Sequence, residues 1–257
     1  MAVILFTPLL YWRYKAWQKK KRLKVLLSAP IPTAWEMVLN QKVGFFKTLT
    51  ETEKDSFRKK MAQFIYTTKI GGGGGVEVTQ ELLVLTAASA VIPVFRLPGW
   101  PYQSLNDIVL VPHRVRHPGD VKSEEATSIT GMVFSRSSSH TVFLSAPALI
   151  AGFNNSMDSS NVGIHEFAHL IDNADGIIDG IPAAFIPKKL IIKWMQIVVF
   201  ETEAIVKGKS DINPYAATNE SEFFAVTSEI YFENPKRLKR HHPELYAVLR
   251  AVYRGSV

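Results

Sequence analysis

Three observations predict an α+β domain carrying a helical N-terminal extension. Ile108–Val111, Met132–Phe134 and Thr141–Ser145 are short runs rich in β-branched and apolar residues, which suit a small mixed sheet. A segment starting near Ser159 or Ser160 and ending between Asn173 and Gly176 repeats apolar residues at helical spacing. A later segment, Asn219–Glu229, does the same while carrying two acids on one face. The spacing divides the chain into a front end, 1–28, and a domain, 29–257, with a helical front over 29–100 and a core from about 105.

The front end is the most unusual stretch. Met1 to Trp12 is nearly all apolar and is followed by Arg13, Lys15, Lys19, Lys20, Lys21, Arg22 and Lys24, all before the first acid, Glu36. Those seven cations account for the whole net charge of +7, so the rest of the chain is balanced. A basic pI of this origin argues against direct nucleic-acid binding by the domain. Twelve helical residues reach about 18 Å, short of a hydrocarbon core of roughly 30 Å. The segment therefore reads as an anchor on an anionic membrane surface through residues 1–24, or as the end of a spanning helix begun upstream. Either would hold the domain on the cytoplasmic side of the membrane. Cysteine is absent, which removes disulfides and thiolate metal sites and suits a reducing, cytoplasmic compartment.

Pro30 and Pro32 mark a linker, and Trp35–Leu49 has weak helical character. Thr50-Glu51-Thr52-Glu53 has capping-box spacing and opens a helix with Phe57, Met61, Phe64 and Ile65 on one face. The five glycines 71–75 read as a flexible connector; no Lys-Ser/Thr follows to make a phosphate loop. Residues 80–92 form an apolar helix up to Pro93. The two later strands form a hairpin through Ser137-Ser138-Ser139, and Thr141–Ser145 is the candidate edge strand for pairing with extended substrate. A helix from Pro187 to about Lys207 buries Trp194, Ile197 and Val198. His113, His117 and His140 read as loop histidines, and His241-His242 as surface residues before a helix that begins after Pro243.

The chemistry concentrates in His165-Glu166-Phe167-Ala168-His169. On a helix, positions i and i+4 stack on one face, so two imidazoles there can close on one metal ion, with the intervening glutamate placed to take a proton from water. This is the H-E-x-x-H arrangement of zinc hydrolases, chiefly peptidases. Asp172, three residues past His169, is a candidate to orient a ligating histidine. A catalytic zinc needs a third protein ligand. One candidate is Asp175, if the chain turned sharply after the helix, although Asp172 stands where such sites normally carry glycine. The preferred one is Glu222, which shares a helix face with Glu229 behind the N-cap Asn219, since semi-buried acids call for a cation.

These residues carry a resemblance. The run Tyr215–Glu229, with His165–Asp172 before it, resembles the Mlc titration factor A family of bacterial zinc peptidases, whose catalytic domain is similar to that of anthrax lethal factor. The match is strong over 160–246 and collinear back to about residue 40; the apolar, basic N-terminus departs from it. The resemblance implies a zincin-like metallopeptidase fold and one Zn2+ held by His165, His169 and Glu222. It also implies Glu166 as general base, Glu229 as support behind the ligands, and Tyr215 as transition-state donor. The substrate would be a peptide or protein, cleaved as short peptides or in aminopeptidase fashion. The same resemblance implies a rival role, sequestering a transcriptional repressor, with peptidase activity secondary. A membrane-tethered adaptor using the basic segment is a third reading.

Overall fold

The computed structural model describes residues 6–102, 104–113, 131–136, 139–155 and 159–254. His117, Ser137 and Ser138 lie outside the described residues. The architecture is mixed α+β and mostly helical, with one four-stranded sheet. In chain order the elements are α1 (Phe6–Ser28), α2 (Thr33–Lys42), α3 (Gly44–Lys47), α4 (Glu51–Thr67), β1 (Lys69–Gly72), α5 (Gln80–Val94), β2 (Leu105–Val111), β3 (Gly131–Arg136), β4 (Ser139–Ser145), α6 (Ala146–Asn154), α7 (Val162–Asp172), α8 (Ile191–Val206), α9 (Glu220–Glu233), α10 (Pro235–His241) and α11 (Pro243–Arg254). Short 3-10 turns follow α7 and precede α8 and α9.

α5 is the central helix. Leu82 and every residue from Val84 to Val94 are buried, as befits a helix that is apolar all round. It continues two residues past the predicted end because Pro93 sits in its last turn, where little of the hydrogen-bond ladder remains to be lost. α4 packs on it with Phe57, Met61 and Phe64 inward, and starts at the capping box. Thr50 Oγ1 accepts from Glu53 N at 3.4 Å, and Glu53 Oε2 accepts from Thr50 N at 3.0 Å.

The sheet order is β1-β2-β4-β3, with β1/β2 and β2/β4 parallel and β3/β4 antiparallel. Ile108, Leu110, Val142 and Leu144 fill its inner face. Two expectations change here. The glycine run is no mere connector, because Gly71 and Gly72 pair with Val109 and Leu110 as part of β1. Thr141–Ser145 is not an edge: β4 lies between β2 and β3, and the outer position belongs to β3. The strand with fully buried Val142 and Leu144 takes the inner place, and its hairpin partner, with half-buried Met132 and Val133, is left outside.

Two histidine expectations also change. His140 is buried on β4. Its Nδ1 lies 2.7 Å from Ser104 Oγ, and its Nε2 accepts from Asn173 Nδ2 at 2.8 Å, tying the sheet to the end of α7. His242 is nearly buried between Glu201 Oε1 at 2.8 Å and Asp211 Oδ1 at 2.7 Å, while its neighbour His241 stays half-exposed. Exposed His113 fits a loop histidine. α1 leaves Leu10, Tyr11, Trp12, Tyr14 and Trp17 uncovered, with Trp12 at 72% exposure. Among the described residues, no helix is long and apolar enough to cross a membrane.

Candidate metal centre

α7 opens on Asn161, whose Oδ1 accepts from Ile164 N at 3.1 Å. Sequence reading put the cap one or two residues earlier, although asparagine is as good an N-cap as serine. Ser159, with φ of 61°, lies outside the helical run. Phe167, Leu170 and Ile171 go into the core, which leaves His165 and His169 on the side facing α9. α9 is capped by Asn219, whose Oδ1 accepts from Glu222 N at 2.9 Å. α7 packs along α9, and this brings two carboxylates to the histidines.

Glu229 Oε1 lies 2.8 Å from His165 Nδ1. A carboxylate can only accept, so Nδ1 carries the proton and the other nitrogen is turned towards the centre. There His165 Nε2 lies 2.9 Å from Glu222 Oε2 and 3.2 Å from His169 Nε2. Glu222 Oε2 is 3.6 Å from His169 Nε2. One donor atom from each of these three residues lies within 4.8 Å of the others. Both histidine side chains keep 12% exposure and Glu222 16%. Three lone-pair groups converging with so little water call for a positive charge.

Burial pulls the His165 pKa down, but hydrogen bonds to Glu222 and Glu229 outweigh it and hold it well above the ordinary range. Burial pushes Glu222 up, and the two histidines overcome it and hold it well below the usual carboxylate range. Glu166 is raised chiefly by burial, against the pull of His165 and His169. Its carboxylate lies under the start of β3, where a Cβ built on Gly131 would stand 2.5 Å from Glu166 Oε1. A larger residue at 131 would displace the carboxylate. Only the packed structure exposes that requirement.

Tyr215 stands in the 3-10 turn Pro214–Ala217, its ring centroid 6.0 Å from that of His165. Burial, then the Glu222 and Glu166 carboxylates, push its phenol up to about 12, so it remains an O–H donor. Asp172 is fully buried, and its Oδ2 accepts from Gly180 N at 2.8 Å. Burial raises its pKa to about 6. Among the described residues, Asp172 Oδ1 and His169 Nδ1 are both buried without a hydrogen-bond partner.

The loop acid is used elsewhere. Asp172 keeps helical angles, and the left-handed turn comes at Gly176, with φ of 97°. Asp175 Oδ1 accepts from Ile177 N at 3.0 Å inside that turn and does not join the donor group.

A family model for glucose-regulated metallo-peptidase M90 matches residues 14–254. The chain belongs to the M90 family. M90 membership implies a metal, and the His165, His169 and Glu222 donors fit one by chemistry and by convergence. The protein slr2042 of Synechocystis is 28% identical over 253 residues, covering 94% of this chain and 90% of that one. Mlc titration factor A of Klebsiella pneumoniae is 25% identical over 234 residues, 86% of this chain and 85% of that protein. Mlc titration factor A of Edwardsiella ictaluri is 35% identical over 102 residues, 37% of this chain and 38% of that protein.

Proposed function

We propose that the chain is a zinc-dependent metallopeptidase of zincin-like design, built on the small sheet, the motif helix α7 and the Glu-bearing helix α9. The observation that carries this reading is the convergence of His165 Nε2, His169 Nε2 and Glu222 Oε2, with Glu166 buried on the same helix. One zinc per chain would be held by these three residues, and when bound it polarises the scissile carbonyl and acidifies water. Glu166 takes the proton from the attacking water and passes it to the leaving amine, and its burial-raised pKa suits holding that proton. Glu229 fixes the tautomer of His165, whereas Asp172, which makes no hydrogen bond to His169 among the described residues, supports that ring through its charge alone. Tyr215 donates to the developing oxyanion. Peptide substrate would lie extended beside β3, whose outer edge has no strand partner among the described residues.

The name borne by the Klebsiella and Edwardsiella relatives favours a second role, binding a transcriptional repressor of the Mlc type, with hydrolysis secondary. We place the protein in the cytoplasm, with α1 as an attachment to anionic membrane. Its seven cations and exposed aromatics, with Lys21 over the Trp17 ring at 5.3 Å, suit a lipid interface.

The test is hydrolysis of a short-peptide panel by wild type and Glu166→Gln at matched zinc content. Loss of about 10²-fold or more with zinc retained is the expected result. Equal rates would remove Glu166 from the role. No hydrolysis by wild type, together with capture of a repressor, would favour the binding role.

A further inference from the structure

A cavity of about 570 Å³ opens where α3, the ends of α5 and α9, the start of α7 and α11 meet. None of the metal-centre residues lines it. Its walls are aromatic, including Phe45, Phe153, Phe232 and Tyr246, and its volume is that of a small-molecule site. Four cations, Lys42, Arg96, Lys236 and Arg254, stand around it. Lys42 is turned to Glu81 and Arg96 to Glu53, whereas Lys236 and Arg254 make no ion pair among the described residues and Arg254 contacts only the neutral Tyr231 hydroxyl on the same wall, so these two charges face an incoming group. The single lining acid, Glu233, accepts from Asn161 Nδ2 at 3.1 Å. Its negative charge disfavours a multiply charged ligand such as a nucleotide and leaves room for one negative head.

We propose that this cavity binds an amphipathic monoanion, a medium-chain carboxylate whose tail lies on the aromatic wall and whose head meets Lys236 and Arg254. The position has a consequence for the metal centre. Asn161 lines the cavity, caps α7 and donates its backbone N–H to Glu229, the carboxylate behind His165. A ligand seated there touches the residue that supports a metal ligand. That route to His165 rests on the metallopeptidase reading, whereas the binding itself does not.

The experiment is calorimetric titration of decanoate into the full-length protein, with and without zinc, so that binding is read independently of hydrolysis. One saturable site per chain is expected. Decanol, which has the tail without the charge, should bind about tenfold more weakly or worse, as should the double variant Lys236→Gln, Arg254→Gln, since losing one charge-assisted contact is worth about that factor. Both side chains are exposed, so the fold should survive, as unchanged melting would verify. Lys20→Gln with Lys21→Gln on α1 should leave binding unchanged. Absence of saturable binding overturns the proposal. So does equal binding of decanol, wild-type affinity in the Lys236/Arg254 variant, or a loss that follows the α1 lysines.

Discussion

Two histidine clusters in this protein share one plan and differ in one component. His165 has a carboxylate on each nitrogen, Glu229 at 2.8 Å and Glu222 at 2.9 Å. His242 also has one on each, Glu201 at 2.8 Å and Asp211 at 2.7 Å. At His242 the chain supplies its own further cation: Arg237 Nε donates to Asp211 Oδ2 at 2.8 Å, and His241 joins the same oxygen. At His165 no Lys or Arg pairs with Glu222 or Glu229 among the described residues, and the additional group is a second imidazole, His169, with its Nε2 turned inward. The first arrangement balances its two carboxylates with Arg237 and a proton on His242. The second has no such fixed cation among the described residues, so protons on the imidazoles or one divalent metal ion must supply the whole balance. Similar spacing of histidine and carboxylate thus gives a structural clasp in one place and a candidate metal site in the other, and the deciding difference is where the compensating charge comes from.

The comparison is sharpened by removing the rear carboxylate from each cluster. Glu229→Ala should weaken zinc affinity by about 10- to 100-fold, read by competition with a chelating dye, and Glu201→Ala should leave it unmoved. Equal effects would erase the distinction. Next in size, Tyr215→Phe should lower kcat by about tenfold or more with little change in zinc content, because the variant removes only the proposed oxyanion donor. A change confined to zinc binding would reassign Tyr215 to the support of the ligands.

Much of this contrast was legible in the residues, and part was not. The i, i+4 histidines, the capping box of α4 and the acid-bearing helix follow from local spacing, which a sequence displays directly. The preference for Glu222 over Asp175 also comes from the acid-bearing helix, and the 3-10 turn after α7 with its left-handed Gly176 adds the physical reason that Asp175 stays out of the donor group. His242 was misjudged as a surface residue because adjacent histidines project in different directions, and its partners Glu201 and Asp211 are 41 and 31 residues away. Pairings across such separations leave no mark on local pattern. Strand order failed for the same reason: alternation predicts a strand but not its neighbours, so β4 was mistaken for an edge. The Gly131–Glu166 approach is likewise a property of packing.

The clasp should show itself in stability instead of chemistry. Hydrogen bonds to Glu201 and then Asp211 raise the His242 pKa above its unfolded value. Its stabilising contribution is therefore full below the ordinary histidine range and lost as pH rises through the raised value. His242→Gln should cost about 1–3 kcal/mol near pH 6 by denaturant unfolding, and the cost should shrink in mildly alkaline solution. A penalty that grows with pH would contradict the charged clasp. The smallest effect on the metal centre is expected from the far end of the chain. Replacing Lys20, Lys21, Arg22 and Lys24 with glutamine should release the protein from anionic vesicles at low salt and leave hydrolysis unchanged. Undiminished vesicle binding would remove α1 from that role.

The most direct measurement is metal content per chain after exhaustive dialysis against zinc-free buffer, for wild type, Glu222→Ala and Asp211→Ala. One zinc per chain in wild type and in Asp211→Ala, with substantial loss in Glu222→Ala, is the predicted result. Full zinc in Glu222→Ala, or loss that follows Asp211, would place the metal elsewhere and contradict the assignment.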